Sequence, residues 1–530
     1  MTSAVTHMHT ERVFSRSHAH YTAETEKSEL LSLLDATTAK YSVTGAVWFL
    51  ERRSDSNITA AELTERLRDA LITTLEAYPQ WCGHLKAVPY QPDLGRAHHQ
   101  RFGRLQLSYK SPHDPGVELV TAMSAQRLDK WIAEDKRIVD YRDMKKIPLE
   151  DFTPPTKLAA PFQDDKDTIH PCLVIQLTSL ACGATMLGIK MAHPLGDAHT
   201  LLYFAGDWAR ISNAMATSSS LPSLEPLFQP SLLDKQAAGD IDKPEPDENI
   251  IKKATALPFH RYDWWAKLED CPWPITPPEP FRSQPIKPAG KAMPWREWDV
   301  TAPVSHYVVH LSADQIQRVW EAASGPGTQR ISRHDAVVVH IWSCINRARN
   351  IASNTDNDSV HCDLVYGIRE RMSLGNNFLD SPIVMVNIEM KAAEASRPNL
   401  APVASTIRST LTQVQPEGLQ AHLHSLAYED TPQRLWQGFL GERHIIVTSW
   451  VQAPVYSLDF GSGVIPRYVE ALMPDMDGTI QLKQAPPPKY ETAQNGAARL
   501  RPWYQNGVDI SFHVRSDVVE NMLKDPYLFP

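Results

Sequence analysis

Residues 190–198 read KMAHPLGDA, a stretch that places His193 four positions before Asp197. The spacing alone is weak evidence of a site, because the chain has 21 histidines and 62 acidic residues. Pro194 disfavours a helical backbone for the residue before it, so His193 and Asp197 do not share one helix face. We therefore expect His193 at a turn, followed by a helix for which Asp197 is the N-cap.

The flanking segments give this stretch its context. Residues 174–177 and 186–191 are rich in β-branched and aliphatic side chains, which predicts two strands joined through Cys182 and Gly183. After Asp197, apolar side chains recur at three- and four-residue spacing, which predicts a helix with one buried face. That face comprises Leu201, Leu202, Ala205, Trp208, Ala209 and Ile211. The pattern predicts a hairpin that delivers His193 to the end of a sheet.

The composition excludes several classes of protein. The 530 residues are 42% hydrophobic and 22% charged, as in globular proteins with two or more domains. A net charge of −9 argues against a general nucleic-acid-binding surface. The N-terminal segment lacks the apolar core of a secretory signal, and no run approaches the ~20 apolar residues that span a bilayer. The six cysteines show no Cys-x-x-Cys pair, so we expect reduced thiols in a cytoplasmic protein without membrane or nucleic-acid partners.

Proline marks a connector between two folded parts of the chain. Apolar spacing predicts a core-packing helix over residues 60–75 in the first part. Fourteen of the 41 prolines lie between residues 222 and 294, mixed with tryptophans, which predicts an extended segment docked on the surface. The second part is expected to begin with a strand at 307–311 and a helix at 312–322.

Six segments occur in an order that is not expected by chance, although each is common by itself. They are LSLLD at 31–35, residues 74–83, the His193 and Asp197 motif, residues 331–349, residues 369–376, and TSW at 448–450 with DFGSG at 459–463. Together they resemble the BAHD family of acyl-CoA-dependent acyltransferases over nearly the whole chain. Two departures, Ser462 where the family has tryptophan and Ala198 after the aspartate, are typical of a divergent fungal branch similar to trichothecene acetyltransferases.

The resemblance implies an α/β (α+β) fold with two chloramphenicol-acetyltransferase-like domains. Each is a mixed sheet with flanking helices, and the active-site channel lies between them. The expected divisions are a poorly ordered tail at 1–20, a first domain at 21–215, a connector at 216–300, and a second domain at 301–530, of which about 464–490 packs on the first.

The resemblance also implies a reaction. An acyl group passes from acyl-CoA, first of all acetyl-CoA, to a hydroxyl of a specialised-metabolite acceptor, in a ternary complex without an acyl-enzyme. His193 is the expected general base, because a histidine with a pKa near ~6.5 takes a proton at neutral pH. The Trp450 indole N–H and the Thr448 hydroxyl are the expected oxyanion donors. Asp197 is expected to be a structural anchor paired with Arg369.

If Arg369 does not pair with Asp197, Arg371 is the next expected partner. Acyl-CoA is expected as a cosubstrate, with no permanently bound cofactor. Its phosphates require basic side chains and helix N-termini. Ser332 and Arg333, at the start of a predicted helix, meet that need, and Arg347 is a weaker choice because arginines in a last helical turn commonly face the helix dipole.

The remaining motif residues are expected to be structural. Gly461 and Gly463 follow Asp459 within the DFGSG segment as in a tight loop, and Asp459 is expected to bind an arginine. No metal is expected. Residues 361–363, His-Cys-Asp, are consecutive, and alternation within a strand would send neighbouring side chains to opposite faces.

Two alternative functions stay open. A condensation-type enzyme would take its donor from a carrier protein, but such domains usually have two adjacent histidines, and here Ala192 precedes His193. A protein of this fold that binds a small molecule or catalyses a cyclisation without acyl transfer is the other, kept open by Ser462 and Ala198. The sequence does not determine the acceptor, the acyl chain length, or whether oxygen or nitrogen is acylated. It predicts a monomer, because one chain builds the complete site.

Overall fold

A computed structural model of the chain describes residues 5–38, 43–52, 56–90, 97–134, 138–160, 168–282, 287–325, 330–351, 358–461, 463–487 and 502–530. The strands are β1 (Thr6–Val13), β2 (Lys27–Leu30), β3 (Thr44–Arg52), β4 (His84–Ala87), β5 (Leu105–Tyr109), β6 (Val117–Ser124), β7 (Tyr141–Asp143), β8 (Leu173–Leu180), β9 (Thr185–Met191), β10 (Tyr262–Asp263), β11 (Lys291–Ala292), β12 (Val304–Leu311), β13 (Ser359–Gly367), β14 (Ile383–Lys391), β15 (Leu435–Trp436), β16 (His444–Trp450), β17 (Val464–Ala471), β18 (Thr479–Gln484) and β19 (Val508–Arg515). The helices are α1 (Leu33–Thr37), α2 (Ala60–Thr74), α3 (Ala198–Ala216), α4 (Ser231–Asp234), α5 (Glu248–Thr255), α6 (Ala313–Ala323), α7 (Arg333–Arg349), α8 (Ala392–Ala395), α9 (Ala401–Leu411), α10 (Pro416–Ala427) and α11 (Ser516–Met522).

The first domain is built on a mixed sheet in the order β1-β6-β8-β9-β3-β17. Strands β6 and β8 run parallel and the other neighbours antiparallel. The predicted hairpin before His193 is confirmed as β8 and β9, which pair across Leu177 and Leu187. Helices α2 and α3 pack against each other over this sheet, where Trp48 and Trp208 are fully buried. The first core thus forms directly behind the His193 turn.

Helix α3 begins where the sequence predicts. Asp197 is its N-cap, and its carboxylate accepts a hydrogen bond from the backbone N–H of Thr200 at 3.0 Å. The apolar face is buried as expected, at Leu201, Ala205 and Trp208. The helix thereby anchors the turn that carries His193.

The second domain contains a mixed sheet in the order β14-β13-β16-β18-β19-β12-β7. Strands β13, β16 and β18 run parallel, and the other neighbours are antiparallel. Helix α7 is buried along most of its length in the core of this domain, for example at Ile341 and Trp342. The predicted strand and helix at its start are confirmed as β12 and α6, and Ser312 caps α6.

Each domain gives a strand to the sheet of the other. Strand β17 leaves the second domain and pairs with β3, while β7 pairs with β12. Residues at about 464–490 are expected to pack on the first domain. Within that range, β17 pairs with the first sheet and β18 returns to the second sheet. Residues 488–490 lie outside the described residues. A buried ion pair between Glu470 of β17 and Lys483 of β18 joins the two sheets. Burial acts to raise the pKa of Glu470, but the charge of Lys483 outweighs it and holds that pKa far below its usual range.

The expectation of a poorly ordered tail at 1–20 is wrong for residues 6–13. They form β1, which pairs antiparallel with β6 at the edge of the first sheet. Most of its side chains are exposed, so hydrophobic alternation does not reveal it. The backbone ladder and two ion pairs, Arg12 with Glu118 and Glu11 with Arg68, hold the strand in place.

The connector is docked, as predicted, and consists of short elements. Helices α4 and α5 and the two-residue strands β10 and β11 lie in it, and β10 pairs with β15 of the second domain. Trp295 and Trp298 of the connector are buried against Phe439 in a separate aromatic core. Among the described helices, none combines the length and the apolar character that crossing a bilayer requires.

Candidate active site

A cavity of about 1610 Å³ is lined by side chains of both domains and of the connector. His193 and Lys190 line it from the first domain, and Tyr366, Thr448 and Trp450 line it from the second. Ligand pockets usually measure about 300–1,000 Å³, so this cavity has room for two substrates at once.

His193 lies in a short turn directly after β9, where Pro194 ends the extended backbone. Its ring Nδ1 is 3.1 Å from the hydroxyl oxygen of Ser381, which follows a loop of the second domain. Burial lowers the pKa of His193, while the charge of Asp197 acts in the opposite direction. The imidazole is therefore neutral at physiological pH, the form that a general base requires.

Asp197 faces Arg369 with both carboxylate oxygens. Arg369 donates to Oδ2 at 2.6 Å and to Oδ1 at 3.0 Å, so the predicted contact is present and bidentate. Burial alone would raise the pKa of Asp197, but the guanidinium outweighs it and lowers that pKa. Arg371, the second expected partner, instead donates to the Tyr366 hydroxyl. The arrangement makes Asp197 an anchor for the turn.

Arg369 also holds the loop that carries Ser381. Its guanidinium donates to the carbonyl oxygens of Phe378, Leu379 and Asp380 at 2.9, 3.2 and 3.0 Å. The Ser381 backbone N–H donates to the Asp35 carboxylate of α1 at 2.8 Å. Three segments distant in sequence thus fix the Ser381 hydroxyl beside His193, and no local sequence pattern reveals Ser381.

Asp380 is an unusual residue in this loop. It is fully buried, its φ of 68° lies in the left-handed region, and neither carboxylate oxygen has a hydrogen-bond partner among the described residues. Burial, followed by the negative charge of Asp35, raises the pKa of Asp380 well above its usual range. Burial likewise raises the pKa of Asp35 to about 6. Strain and unfavourable burial are concentrated directly behind the His193 turn.

The predicted oxyanion donors lie at the end of β16. Thr448, Ser449 and Trp450 all line the cavity, and Trp450 is buried while Thr448 is partly exposed. The structure therefore brings both candidates to the same cavity as His193.

Of the residues predicted to bind the coenzyme at the start of α7, Ser332 lines the cavity and Arg333 does not. Ser332 lines the cavity and caps α7, where its hydroxyl accepts from the Asp335 N–H at 3.1 Å. Arg333 lies over the rings of Trp320 and Tyr504, and is not among the residues that line the cavity. The expectation for Arg333 is corrected, because its guanidinium is directed to that surface cluster.

Arg347 also differs from its expected role. It donates to the Asp525 carboxylate at 2.8 Å and packs over the Tyr527 ring, outside the residues that line the cavity. It is a structural cation that attaches α7 to the chain's last described segment. Lys157, an exposed side chain that does line the cavity, was missed by sequence reasoning because it lies in no motif.

The DFGSG segment lies at the far end of α3 from His193. Gly461 has a φ of 81°, and a Cβ there would lie 2.6 Å from the Cβ of Ala216. Asp459 accepts from the Gly461 N–H and from the Asn213 side chain. Arg66 donates to the Gly461 carbonyl and acts on Asp459 through its charge, so a direct bond between Asp459 and an arginine stays a prediction. Gly463 also has a positive φ, at 71°, and Ser462 lies outside the described residues.

An aromatic wall forms another part of the cavity. We use this term for Trp264, Trp273, Trp298 and Trp436, all of which line the cavity. Trp264 and Trp436 stack with ring centroids 5.3 Å apart. Three of the four come from the proline-rich connector, so that segment shapes the site as well as joining the domains.

Comparison with known proteins agrees with this architecture. The model of the Transferase family matches residues 3–486. Acyltransferase AFT15-1 of Alternaria alternata is 24% identical over 475 residues, which covers 88% of this chain and 87% of that protein. The structure of F. sporotrichioides TRI101 with coenzyme A and T-2 has a TM-score of 0.63 at 15% identity, over 95% of this chain and 98% of that one. Vinorine synthase has a TM-score of 0.62 at 15% identity, over 98% and 96%.

Replacing Asp197 tests the anchor role. We expect Asp197→Ala to lower the free energy of unfolding by about 3–5 kcal/mol, because Arg369 would be left buried without its partner. Activity should fall together with the folded fraction. Asp247→Ala is the matched control, since Asp247 is an exposed N-cap of α5, and loss of such a cap costs about 1 kcal/mol. Urea denaturation measures both. An Asp197→Ala protein as stable as the control but inactive would indicate a direct chemical role.

The pH dependence of stability tests Asp380. Below about pH 3 this carboxyl is protonated in the folded and unfolded chains alike. As pH rises, the unfolded chain ionises first, because the folded pKa is raised, and the folded state loses stability. Asp380→Asn removes this loss and tolerates the left-handed backbone. We expect its stability relative to the unsubstituted protein to increase by at least about 1 kcal/mol between pH 4.5 and pH 8.

The control for that experiment is Asp69→Asn, at an exposed position on α2. Its relative stability should change little over the same pH interval. Equal pH dependence in the two variants would contradict the account of Asp380.

Proposed function

The chain belongs to the Transferase family, the BAHD acyltransferases, and on that premise we propose that it transfers an acyl group from acyl-CoA to a hydroxyl of an apolar acceptor, with His193 as the general base. The observation that carries this proposal is the position of His193 on the cavity wall, with its Nδ1 held 3.1 Å from Ser381. We propose that Nδ1–H donates to the Ser381 hydroxyl, the tautomer in which Nε2 lacks a proton and can act as the base.

In the proposed reaction, His193 Nε2 takes the acceptor's hydroxyl proton as the oxygen bonds to the thioester carbonyl carbon. The carbonyl becomes an oxyanion, which the Trp450 indole N–H and the Thr448 hydroxyl stabilise. The oxyanion collapses, the carbon–sulfur bond breaks, and the departing thiolate takes the proton from His193. The ester and free coenzyme A leave, and no acyl-enzyme forms. An amine acceptor would follow the same steps.

We assign the coenzyme to the part of the cavity near the start of α7. Ser332 supports this assignment, because its hydroxyl accepts from Asp335 and keeps its own hydrogen to donate to a phosphate. The exposed Lys157 provides a cation on the same cavity. TRI101, which shares the fold, is complexed with coenzyme A in its solved structure. Acetyl-CoA is the first donor to test.

We assign the acceptor to the aromatic wall. Tryptophan faces bind flat apolar ring systems through large contact areas, and the indole N–H groups offer donors for oxygen substituents. A bulky ring-containing alcohol is therefore the proposed acceptor class. We further propose that the protein acts as a monomer, because both domains and the connector of one chain line the cavity.

Thiol release tests the base. With acetyl-CoA and a panel of polycyclic and aromatic alcohols, the protein should release free thiol, which a colorimetric thiol reagent measures. His193→Ala should reduce the rate by about 10²–10⁴-fold, the usual contribution of general base catalysis, with unchanged circular dichroism. His20→Ala, an exposed histidine, is the control and should retain full activity. A folded His193→Ala protein with more than a tenth of the original rate would contradict the assignment.

Trp436→Ala tests the acceptor side. Removing this ring should raise the acceptor KM about tenfold, equivalent to about 1.4 kcal/mol, and leave the KM for acetyl-CoA unchanged. Trp503→Ala, a partly buried tryptophan that is not among the cavity-lining residues, should change neither constant. An unchanged acceptor KM would exclude the aromatic wall as the acceptor site.

Repeating the thiol-release assay with an acyl group on a carrier protein separates the alternatives. A condensation-type enzyme would react with an acyl group on a carrier protein and not with acetyl-CoA. A binding protein or cyclase of this fold would bind small molecules without thiol release from either donor.

A further inference from the structure

Three histidines converge where the connector meets the second sheet. His260 precedes β10, His361 lies on β13, and His444 begins β16. Each offers a ring nitrogen, and these nitrogens lie within 4.8 Å of one another. His361 and His444 stack with ring centroids 4.4 Å apart, and both are adjacent to His260. None of the three lines the cavity that contains His193.

A buried carboxylate completes the cluster. Asp363, fully buried on β13, has Oδ1 3.3 Å from His260 Nε2 and Oδ2 3.6 Å from His444 Nδ1. Yet His260 Nε2, His444 Nδ1 and Asp363 Oδ1 have no hydrogen-bond partner among the described residues. These atoms are therefore close together but do not form hydrogen bonds with one another. Buried polar groups without a partner are rare, because they lose their hydrogen bonds to water.

The spacing fits the coordination sphere of a transition metal. In tetrahedral sites Zn²⁺ lies about 2.0–2.1 Å from nitrogen and about 2.0–2.2 Å from oxygen, which places neighbouring ligand atoms about 3.3–3.5 Å apart. The 3.3 Å between Asp363 Oδ1 and His260 Nε2 lies in that range, and the 3.6 Å between Asp363 Oδ2 and His444 Nδ1 lies just above it. The three histidine nitrogens lie within 4.8 Å of one another, so the ligands would draw closer on binding the ion. Imidazole nitrogens with one carboxylate are a ligand set that Zn²⁺ favours.

Outer contacts orient the ligands as in known metal sites. The His361 Nδ1 is 3.0 Å from the Asn387 side-chain oxygen, which directs Nε2 towards the cluster. The Phe439 backbone N–H donates to Asp363 Oδ2 at 3.0 Å, and Glu297 Oε2 lies 3.7 Å from His444 Nε2. Such second contacts fix the tautomer and the ring orientation of metal-binding histidines.

Alternation along β13 explains why residues 361–363 do not reveal this site. Cys362 is buried in the core on the other face of the sheet, and His361 and Asp363 share a face. The remaining two histidines come from the connector and from β16, about 100 and 80 residues away in sequence. The expectation of no metal considered only the consecutive residues.

We propose that His260, His361, His444 and Asp363 bind one Zn²⁺ ion that attaches the connector to the second sheet. Four protein ligands leave no open position, so the ion is structural. It lies beside the aromatic wall, since Phe439 packs against Trp298 and Trp436 and its N–H bonds Asp363. The site is independent of the proposed acyl transfer and is detected without an activity assay.

Metal content tests the proposal on the full chain. Protein purified from zinc-supplemented medium and passed through gel filtration should contain one zinc per chain by mass spectrometry of the elements. His361→Ala, at a partly exposed ligand, should lose at least nine-tenths of it. His98→Ala is the control and should keep its zinc. His98, His99 and Asp242 form another histidine-containing group that an ion could bind. A zinc-free parent protein, or zinc lost in the control instead, would overturn the proposal.

Cobalt gives a second measurement that does not depend on how the variant folds. The chelator-treated parent protein, titrated with Co²⁺ alone, should develop the strong visible absorption of tetrahedral cobalt and reach saturation at one equivalent. Its melting temperature should rise as the ion binds. Weak octahedral absorption, or no saturable absorption, would overturn the proposal whether or not the protein releases thiol from acetyl-CoA.

Discussion

The ion pair between Asp197 and Arg369 is the contact on which the candidate site depends. Asp197 caps α3 in the first domain, and Arg369 belongs to a loop of the second. The same guanidinium holds the carbonyls that precede Ser381, so the pair sets where the Ser381 hydroxyl meets His193. Two buried charges stabilise a fold only when their hydrogen bonds are well aligned, and here the guanidinium bonds both oxygens of the carboxylate at 2.6 and 3.0 Å.

The carboxylates around Arg369 outnumber its single charge. Asp35, Asp234 and Asp380 interact with one another there, and burial raises the pKa of Asp35 to about 6 and that of Asp234 to about 7. Burial of the His193 ring itself lowers its pKa against the charge of Asp197, and this keeps the ring in the neutral state that a general base needs.

Local signals predicted the parts of the fold whose side chains face one core. The β8–β9 hairpin, α3 with its Asp197 cap, α6 and α2 all follow from periodicity and capping residues. Strand β1 was missed because its side chains face solvent and only its backbone is paired. Ser381 was missed for a different reason: its role comes from Arg369 and Asp35, which are close in space and distant in sequence. A single sequence carries no record of such contacts.

The connector illustrates the same limit and its consequence for function. Its prolines correctly predict a segment without long elements, but they do not tell which of its side chains meet the cavity. In the structure, β10 of the connector pairs with β15, and this pairing places the Trp264 ring in a stack with the Trp436 ring. The Asp263 carboxylate, fully buried and bound by Arg434, fixes that register. The aromatic wall is therefore held in place by contacts between the connector and the second domain. Substitutions in the connector can alter the shape of this wall without touching the turn that carries His193.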